Sequence, residues 1–365
     1  MNGPVGIGVI GAGTISDTYL ENLTSFADTD VLALGDIVPE AARLKAAKYD
    51  VAAAGDVDTV LDHPGVEIVV NLTIPAAHAE VASQVIAAGK HVWNEKPLAL
   101  DRFSGERLLN DAAAAGLRVG CAPDTFLGTG LQTACRLTEQ GMIGTPLTAL
   151  ALLQLPGPES WHPNPAFLFA AGAGPLFDLG PYYLTALVQV FGSVSSVAAL
   201  GSKARERRVI GSGPKAGEEF DVMVPSHVSA LAQFESGQSV QAMFSFDSAL
   251  PRTLLEVNGT DATMLFPDPN YFDGDIAIRR RDGEDWETVA TTTAKSFRGT
   301  GVLEMARALR EGRPHRAQGA LAYHVLDTMI AVAESVESRA FVDVASSVDK
   351  PSLLPDSWDP LSRTV

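Results

Sequence analysis

Short apolar runs alternate with helix-period stretches through the first third of the chain. Val5–Ile10 is apolar but for two glycines and predicts a buried parallel strand. Ile15, Tyr19, Leu20 and Leu23 follow at helical spacing. The same alternation predicts strands at Val31–Leu34, Ile68–Leu72, His91–Trp93 and Arg118–Cys121. It predicts helices at Pro39–Tyr49, Asp58–Leu61, Ala77–Ala88 and Arg102–Ala115. Strands separated by single helices specify right-handed crossovers, hence a doubly wound parallel (Rossmann) sheet.

The rhythm changes after Asp124. A helix at Gly130–Gln140 leads into eight segments with strand character: Leu147–Leu155, Val197–Ser202, Ser226–Phe234, Ser239–Phe246, Thr253–Val257, Thr263–Phe266, Ile276–Arg280 and Trp286–Ala290. Ser236-Gly237 and Asn258-Gly259 are hairpin signals, so a large, open, mainly antiparallel sheet is expected. A helix-patterned stretch, Gly174–Leu187, interrupts the meander. Helices at Val302–Glu311 and Ala320–Ser338 close it, and an extended arm follows Asp349. The division expected is a nucleotide-binding α/β domain over residues 1–124 and an α+β domain over 125–365. The second would serve substrate binding and oligomerisation, and its last helices could pack back on the first.

A net charge of −17 opposes nucleic acid or an anionic membrane as partner, since both need clustered Lys and Arg. No apolar run approaches the ~20 residues of a membrane helix. Cys121 and Cys135 show no metal-ligand spacing and no disulfide framework. A cytoplasmic protein acting on a small molecule, without a metal, is expected. Alternating Ser229–Phe234 and Ser239–Phe244 place apolar side chains on both faces of the second sheet, which predicts oligomerisation.

Gly11-Ala12-Gly13 leaves the first strand as a tight turn, and the missing side chain at Gly13 lets backbone approach a pyrophosphate at a helix N-terminus. Ser16 stands where the third glycine of that fingerprint falls. Asp36, at the end of the second strand, would accept from ribose hydroxyls and repel a 2′-phosphate, so NAD is favoured and NADP left open. Lys96, in Asn94-Glu95-Lys96-Pro97, lies beyond the carboxyl end of a strand, where such sheets place ligands. Asp178 and Tyr182 stand at i and i+4 in Gly172–Tyr183, sharing one helical face, although Gly180-Pro181 should break the helix. Trp161, His162 and Asn164 lie in a Pro-rigidified loop suited to stacking on and bonding a polyol. Asp124 is expected to border the same cleft.

Taken in order, Gly11–Ser16, Asn71–His78, Glu95-Lys96-Pro97 and the glycine-rich run into Asp178 resemble the Gfo/Idh/MocA oxidoreductase family over nearly the whole chain. The resemblance implies Gly11, Gly13, Thr14 and Ile15 at the pyrophosphate and Asp36 at the adenosine ribose. It implies Thr73, Pro75 and His78 flanking the dinucleotide, and Glu95 at the nicotinamide ribose. Lys96 would address the substrate hydroxyl, with Asp178 completing a polar cluster and Tyr182 standing where many members carry His. It also implies a dehydrogenase acting on a sugar, sugar derivative or cyclitol, in a homodimer or homotetramer. Tyr182 resembles the glucose–fructose oxidoreductase and dihydrodiol dehydrogenase branches, which keeps an aromatic diol as an alternative substrate. A non-catalytic nucleotide sensor is the rival of a different class; a sensor would need the glycine turn but not Lys96, Asp178 and Tyr182.

Overall fold

A computed structural model describes residues 3–291 and 295–365. The chain forms two compact units, Met1–Thr129 with Thr293–Leu326 and Pro351–Val365, and Gly130–Thr292 with Asp327–Lys350. The chain passes between the units after Thr129, Thr292, Leu326 and Lys350. The first unit contains β1 (Val5–Ile10), α1 (Thr14–Leu23), β2 (Thr29–Gly35), α2 (Pro39–Tyr49), β3 (Ala53–Gly55), α3 (Val57–Leu61), β4 (Ile68–Asn71), α4 (His78–Ala87), β5 (His91–Asn94), α5 (Arg102–Ala114) and β6 (Val119–Cys121). Its strands pair in parallel in the order β3-β2-β1-β4-β5-β6, so the order reverses between β1 and β4. Ligands of open α/β sheets bind beyond the carboxyl ends at that reversal.

The apolar patterning explains this unit directly. Every residue of β1 and β4 is buried, as a strand covered on both faces requires. Sequence patterning misses β3, whose Ala-Ala-Gly has little strand propensity; pairing with Ala33–Gly35 makes it a strand. Trp93 is fully buried, and a methyl group on Gly301 would lie 2.0 Å from its ring. Any side chain at Gly301 would therefore displace either the indole or the helix α8 (Thr300–Glu311).

The second unit contains α6 (Thr129–Glu139), β7 (Pro146–Gln154), α7 (Pro175–Phe191), β8 (Val194–Ser202), β9 (Arg207–Val209), β10 (Glu219–Asp221), β11 (His227–Phe234), β12 (Ser239–Ser245), β13 (Arg252–Gly259), β14 (Ala262–Phe266), β15 (Ile276–Arg280), β16 (Glu287–Val289) and β17 (Val342–Asp343). The helix α9 (Gly319–Ser338) divides between the units after Leu326. A nine-stranded sheet runs β16-β15-β14-β13-β7-β12-β11-β8-β17, antiparallel except for β7 with β12. The helix α7 packs against β7, β11 and β12, over a face carrying Ala149, Ala151, Leu153, Val228 and Val240. Contrary to expectation, α7 continues through Pro181. Burial of the helix from Gly180 to Phe191 outweighs the one backbone hydrogen bond that proline removes. The short hairpin β9–β10 carries too few residues for a periodic signal.

The arm expected after Asp349 is irregular and folds onto the first unit around a buried ion pair. Arg307 donates from Nε to Asp28 at 2.8 Å, and its Nη2 donates to the carbonyls of Asp359 and Ser362. Asp28 also accepts from the amide of Thr364 at 3.0 Å and its hydroxyl at 2.8 Å. The guanidinium stacks 4.5 Å over Trp358. Burial alone would raise the Asp28 carboxyl; the Thr364 donors and Arg307 outweigh it and hold it below its usual range. Its contribution to stability is therefore complete above the unfolded-state pKa of about 4 and is lost as pH falls further. Asp28→Ala leaves Arg307 buried without its carboxylate and should cost roughly 3–5 kcal/mol. Denaturant unfolding reads this directly, and a loss below ~1 kcal/mol would show that the pair does not hold the arm.

Candidate functional site

At the carboxyl end of β1, Gly11 adopts φ +106°, and a Cβ there would lie 2.7 Å from the carbonyl of Leu72. Only glycine fits that turn. At Gly13 the situation is reversed: a Cβ would meet no protein atom within 4 Å. Gly13 caps α1 with extended backbone and no side-chain cap, so the first-turn amides beside Thr14 and Ile15 are left for an anion. Ser16 is buried and its hydroxyl donates to the Gly13 carbonyl at 2.7 Å, which fixes the turn from beneath. Asp36 accepts from the amides of Ala12 at 2.7 Å and Val38 at 2.8 Å. Its carboxylate therefore stands beside the turn, with acceptor capacity remaining for vicinal hydroxyls. These features fit a dinucleotide.

Polar side chains tie the next two strand ends together. Asn71 and Asn94 are register partners at the ends of β4 and β5, both fully buried, and Asn71 donates to Asn94 at 2.9 Å. The Oδ1 of Asn71 accepts from the hydroxyl of Thr73 at 2.7 Å. Pro75 opens a short 3₁₀ turn that leads into His78. The imidazole of His78 is 1% exposed, with Nδ1 2.7 Å from the Pro97 carbonyl and Nε2 3.0 Å from that of Thr73. Burial lowers its pKa, so the ring is neutral and donates from one nitrogen. His78 is accordingly a brace between the loops after β4 and β5, with both ring nitrogens turned to backbone carbonyls.

Glu95 accepts from the Tyr19 hydroxyl at 2.8 Å, and Tyr19 in turn accepts from the Trp93 indole at 3.3 Å. Burial first, and then the charge of Glu95, push the Tyr19 phenol well above its usual range, so it serves as a neutral donor. Glu95 also accepts from the Lys96 amide at 3.1 Å. Lys96 is half-buried at this edge and is followed by a cis peptide bond to Pro97.

The expectation that Asp124 borders the cleft is corrected. Asp124 is fully buried, and accepts from Arg298 at 3.1 Å and from the amides of Gly299 and Gly301 at 2.8 and 3.2 Å. A carboxylate with those partners anchors the start of α8 and has no surface to offer a substrate. Burial raises its pKa despite Arg298.

In the second unit, Gly174 caps α7 and Asp178 follows in the first helical turn, half-buried, where a carboxylate suits the helix dipole. Tyr182, one turn on, is buried. Trp161 is 68% exposed and meets His162 edge-on at 5.5 Å; His162 meets Phe167 at the same distance. Asn164 donates its amide to the His162 ring at 3.0 Å and leaves its side chain exposed. No group of ligands able to hold a metal occurs among the described residues.

Patterning missed Tyr19, Trp93, Asn71 and Arg298 as parts of the site, because each supports a neighbour and none carries an evident reactive role. Asn71 and Asn94 had a readable signal: two polar residues ending two buried strands.

Two family models match the chain. One describes an oxidoreductase family with an NAD-binding Rossmann fold and covers residues 5–122; the other describes the GFO/IDH/MocA C-terminal domain and covers residues 131–265. An inositol 2-dehydrogenase/D-chiro-inositol 3-dehydrogenase of Lactiplantibacillus plantarum is 37% identical over 39% of this chain and 41% of its own length. A dTDP-3,4-didehydro-2,6-dideoxy-alpha-D-glucose 3-reductase of Saccharopolyspora spinosa is 27% identical over 88% of this chain and 96% of its own. The solved structure of levoglucosan dehydrogenase superposes with a TM-score of 0.82, at 20% identity over 95% of this chain and 100% of that one, a likeness of fold. The chain therefore belongs to the Gfo/Idh/MocA oxidoreductase family, with residues 5–122 forming that family's NAD-binding Rossmann fold.

Proposed function

We propose that the protein is an NAD-dependent dehydrogenase acting on a secondary alcohol of a sugar, sugar derivative or cyclitol, or on the corresponding ketone. The observation that carries this reading is Lys96, half-buried, its backbone amide held by the Glu95 carboxylate, at the same carboxyl edge of the sheet as the glycine turn. When bound, NAD supplies the hydride acceptor. The first-turn amides of α1, with Gly11 and Gly13, hold its pyrophosphate, and Asp36 holds the adenosine ribose. Thr73 and Pro75 flank the dinucleotide, and Glu95 takes the nicotinamide ribose.

Lys96 binds the hydroxyl under oxidation and either accepts its proton as the free amine or, as ammonium, stabilises the developing alkoxide while the Tyr182 hydroxyl relays that proton onward to solvent. Family resemblance assigns Asp178 to the same polar cluster. Trp161 offers an apolar face to the ring of the substrate, and His162 and Asn164 offer hydrogen bonds to its hydroxyls. Related proteins named for inositol and for a deoxysugar support this class of substrate. Incubation with NAD and a panel including myo-inositol, levoglucosan and trans-dihydrobenzenediol, followed at the NADH absorbance, tests the reading. NADH formed from cyclitols or sugars supports it; oxidation of the aromatic diol alone replaces it with the diol dehydrogenase.

Lys96→Ala should lower kcat at least ~10²-fold while the affinity for NAD stays within about threefold, since the amine serves proton transfer and not cofactor binding. Tyr182→Phe keeps the ring's packing and should lower kcat too, with Tyr182→His recovering part. A Lys96→Ala enzyme of near-normal kcat would remove the lysine from the mechanism.

The second unit supports assembly into dimers or tetramers. The sheet face opposite α7 carries Leu150, Leu152, Leu200, Leu231, Met243 and Phe341 around an open groove of 460 Å³. A contiguous apolar face of this kind is uncommon on a monomer. Leu231→Glu places a charge at its centre and should convert the assembly to a monomer by light scattering. A wild-type protein of 38.4 kDa at micromolar concentration would refute the assignment of this face.

A further inference from the structure

The loop that carries Trp161 and His162 has an unusual foundation. Arg208, on β9, is 3% exposed and donates Nη1 to Glu159 and Nη2 to Asp247 and to the Phe246 carbonyl. Its guanidinium lies 4.8 Å above the ring of Phe169, itself fully buried against Phe220 and Phe246. Asp247 is further held by the hydroxyl of Ser226 at 2.7 Å. One cation thus bridges both ends of the loop: Glu159 at its start and Phe169 at its close.

Backbone bonds complete the frame. Gly211 donates to the Glu159 carbonyl at 2.7 Å, and Met223 to that of Phe169 at 2.9 Å, so the hairpin β9–β10 backs the whole loop. The small core beneath it, Leu168, Phe169, Val222 and Phe246, also packs Leu179, the residue after Asp178. The loop and the first turns of α7 therefore share one support. Isolated surface loops rarely rest on a buried ion cluster, because removing three charges from water is costly and stabilises little by itself. Here the buried charges hold a loop whose outer side exposes Trp161, at 68%, and Phe167, at 47%.

We propose that Arg208 is a positioning residue for substrate selection: by bridging Glu159 and Asp247 it fixes the 157–169 loop as a rigid aromatic wall against which the polyol ring is bound. This rests on the functional reading above, and it adds a residue that touches neither substrate nor cofactor. A preformed wall lowers KM by raising the fraction of enzyme ready to bind, without entering the chemical step.

The test uses Glu159→Gln, which keeps shape and removes one charge, with Arg208→Met and Arg208→Lys beside it. Hydrogen exchange over residues 157–169 should accelerate in Glu159→Gln and Arg208→Met, with residues 5–122 unchanged. With the best alcohol of the panel, KM should rise about tenfold or more while kcat and NAD affinity stay within about twofold. Arg208→Lys should recover part of the affinity. Unchanged exchange in Glu159→Gln overturns the assignment of Arg208, and faster exchange with unchanged KM overturns the loop's part in binding. If wild-type enzyme oxidises no alcohol in the panel, the functional reading fails. Protection of 157–169 by 100-fold-varied levoglucosan in the presence of NAD, or its absence, then decides the wall by itself.

Discussion

One buried imidazole sets the geometry of the cofactor edge. Parallel strands end with backbone groups that the sheet no longer pairs, and loops at such ends are ordered only if side chains satisfy them. His78 lies between two such loops, its ring nitrogens against the carbonyls of Thr73 after β4 and Pro97 after β5, and its one N–H satisfies one of them. The Asn71–Asn94 bond joins the same strand ends one layer beneath. In the function proposed above Thr73 flanks the dinucleotide and Lys96 addresses the substrate, so on that reading the brace links binding to reactivity within a single unit. The turn at Gly11, Asp36 against Ala12, and Glu95 against Tyr19 are arranged around that linked edge.

Much of the fold was legible because burial on both faces leaves a continuous apolar signature. The strands β1 and β4 carry it plainly, and the alternation of strand and helix fixes a parallel sheet. What escaped were short elements whose conformation is imposed from outside: β3 by its pairing with β2, and the hairpin β9–β10 by the loop it supports. Pro181 misled for a related reason, since local propensity is weak against the burial of an entire helix.

The candidate site was legible where backbone geometry demands a residue type. Gly11 needs its positive φ and Gly13 needs open space, and both requirements are visible as glycine in the sequence. Side-chain roles were harder to read. Asp124 stood at the right distance along the chain for ligand contact, yet its carboxylate is consumed by internal hydrogen bonds. Sequence position reports proximity to an edge but not the direction in which a side chain is spent. Arg208, Tyr19 and Arg298 are the converse: ordinary residues whose importance comes from what they hold.

Replacing the brace tests the central claim most directly. His78→Ala removes the ring packed between the Thr73 and Pro97 carbonyls and leaves one buried acceptor without its donor, a cost of about 1–3 kcal/mol. Calorimetric titration of NAD into this variant, paired with its kcat, reads the cofactor and chemical sides separately. The account predicts that affinity falls about tenfold or more and that kcat falls with it. Unchanged affinity and unchanged kcat in a folded His78→Ala protein would contradict it.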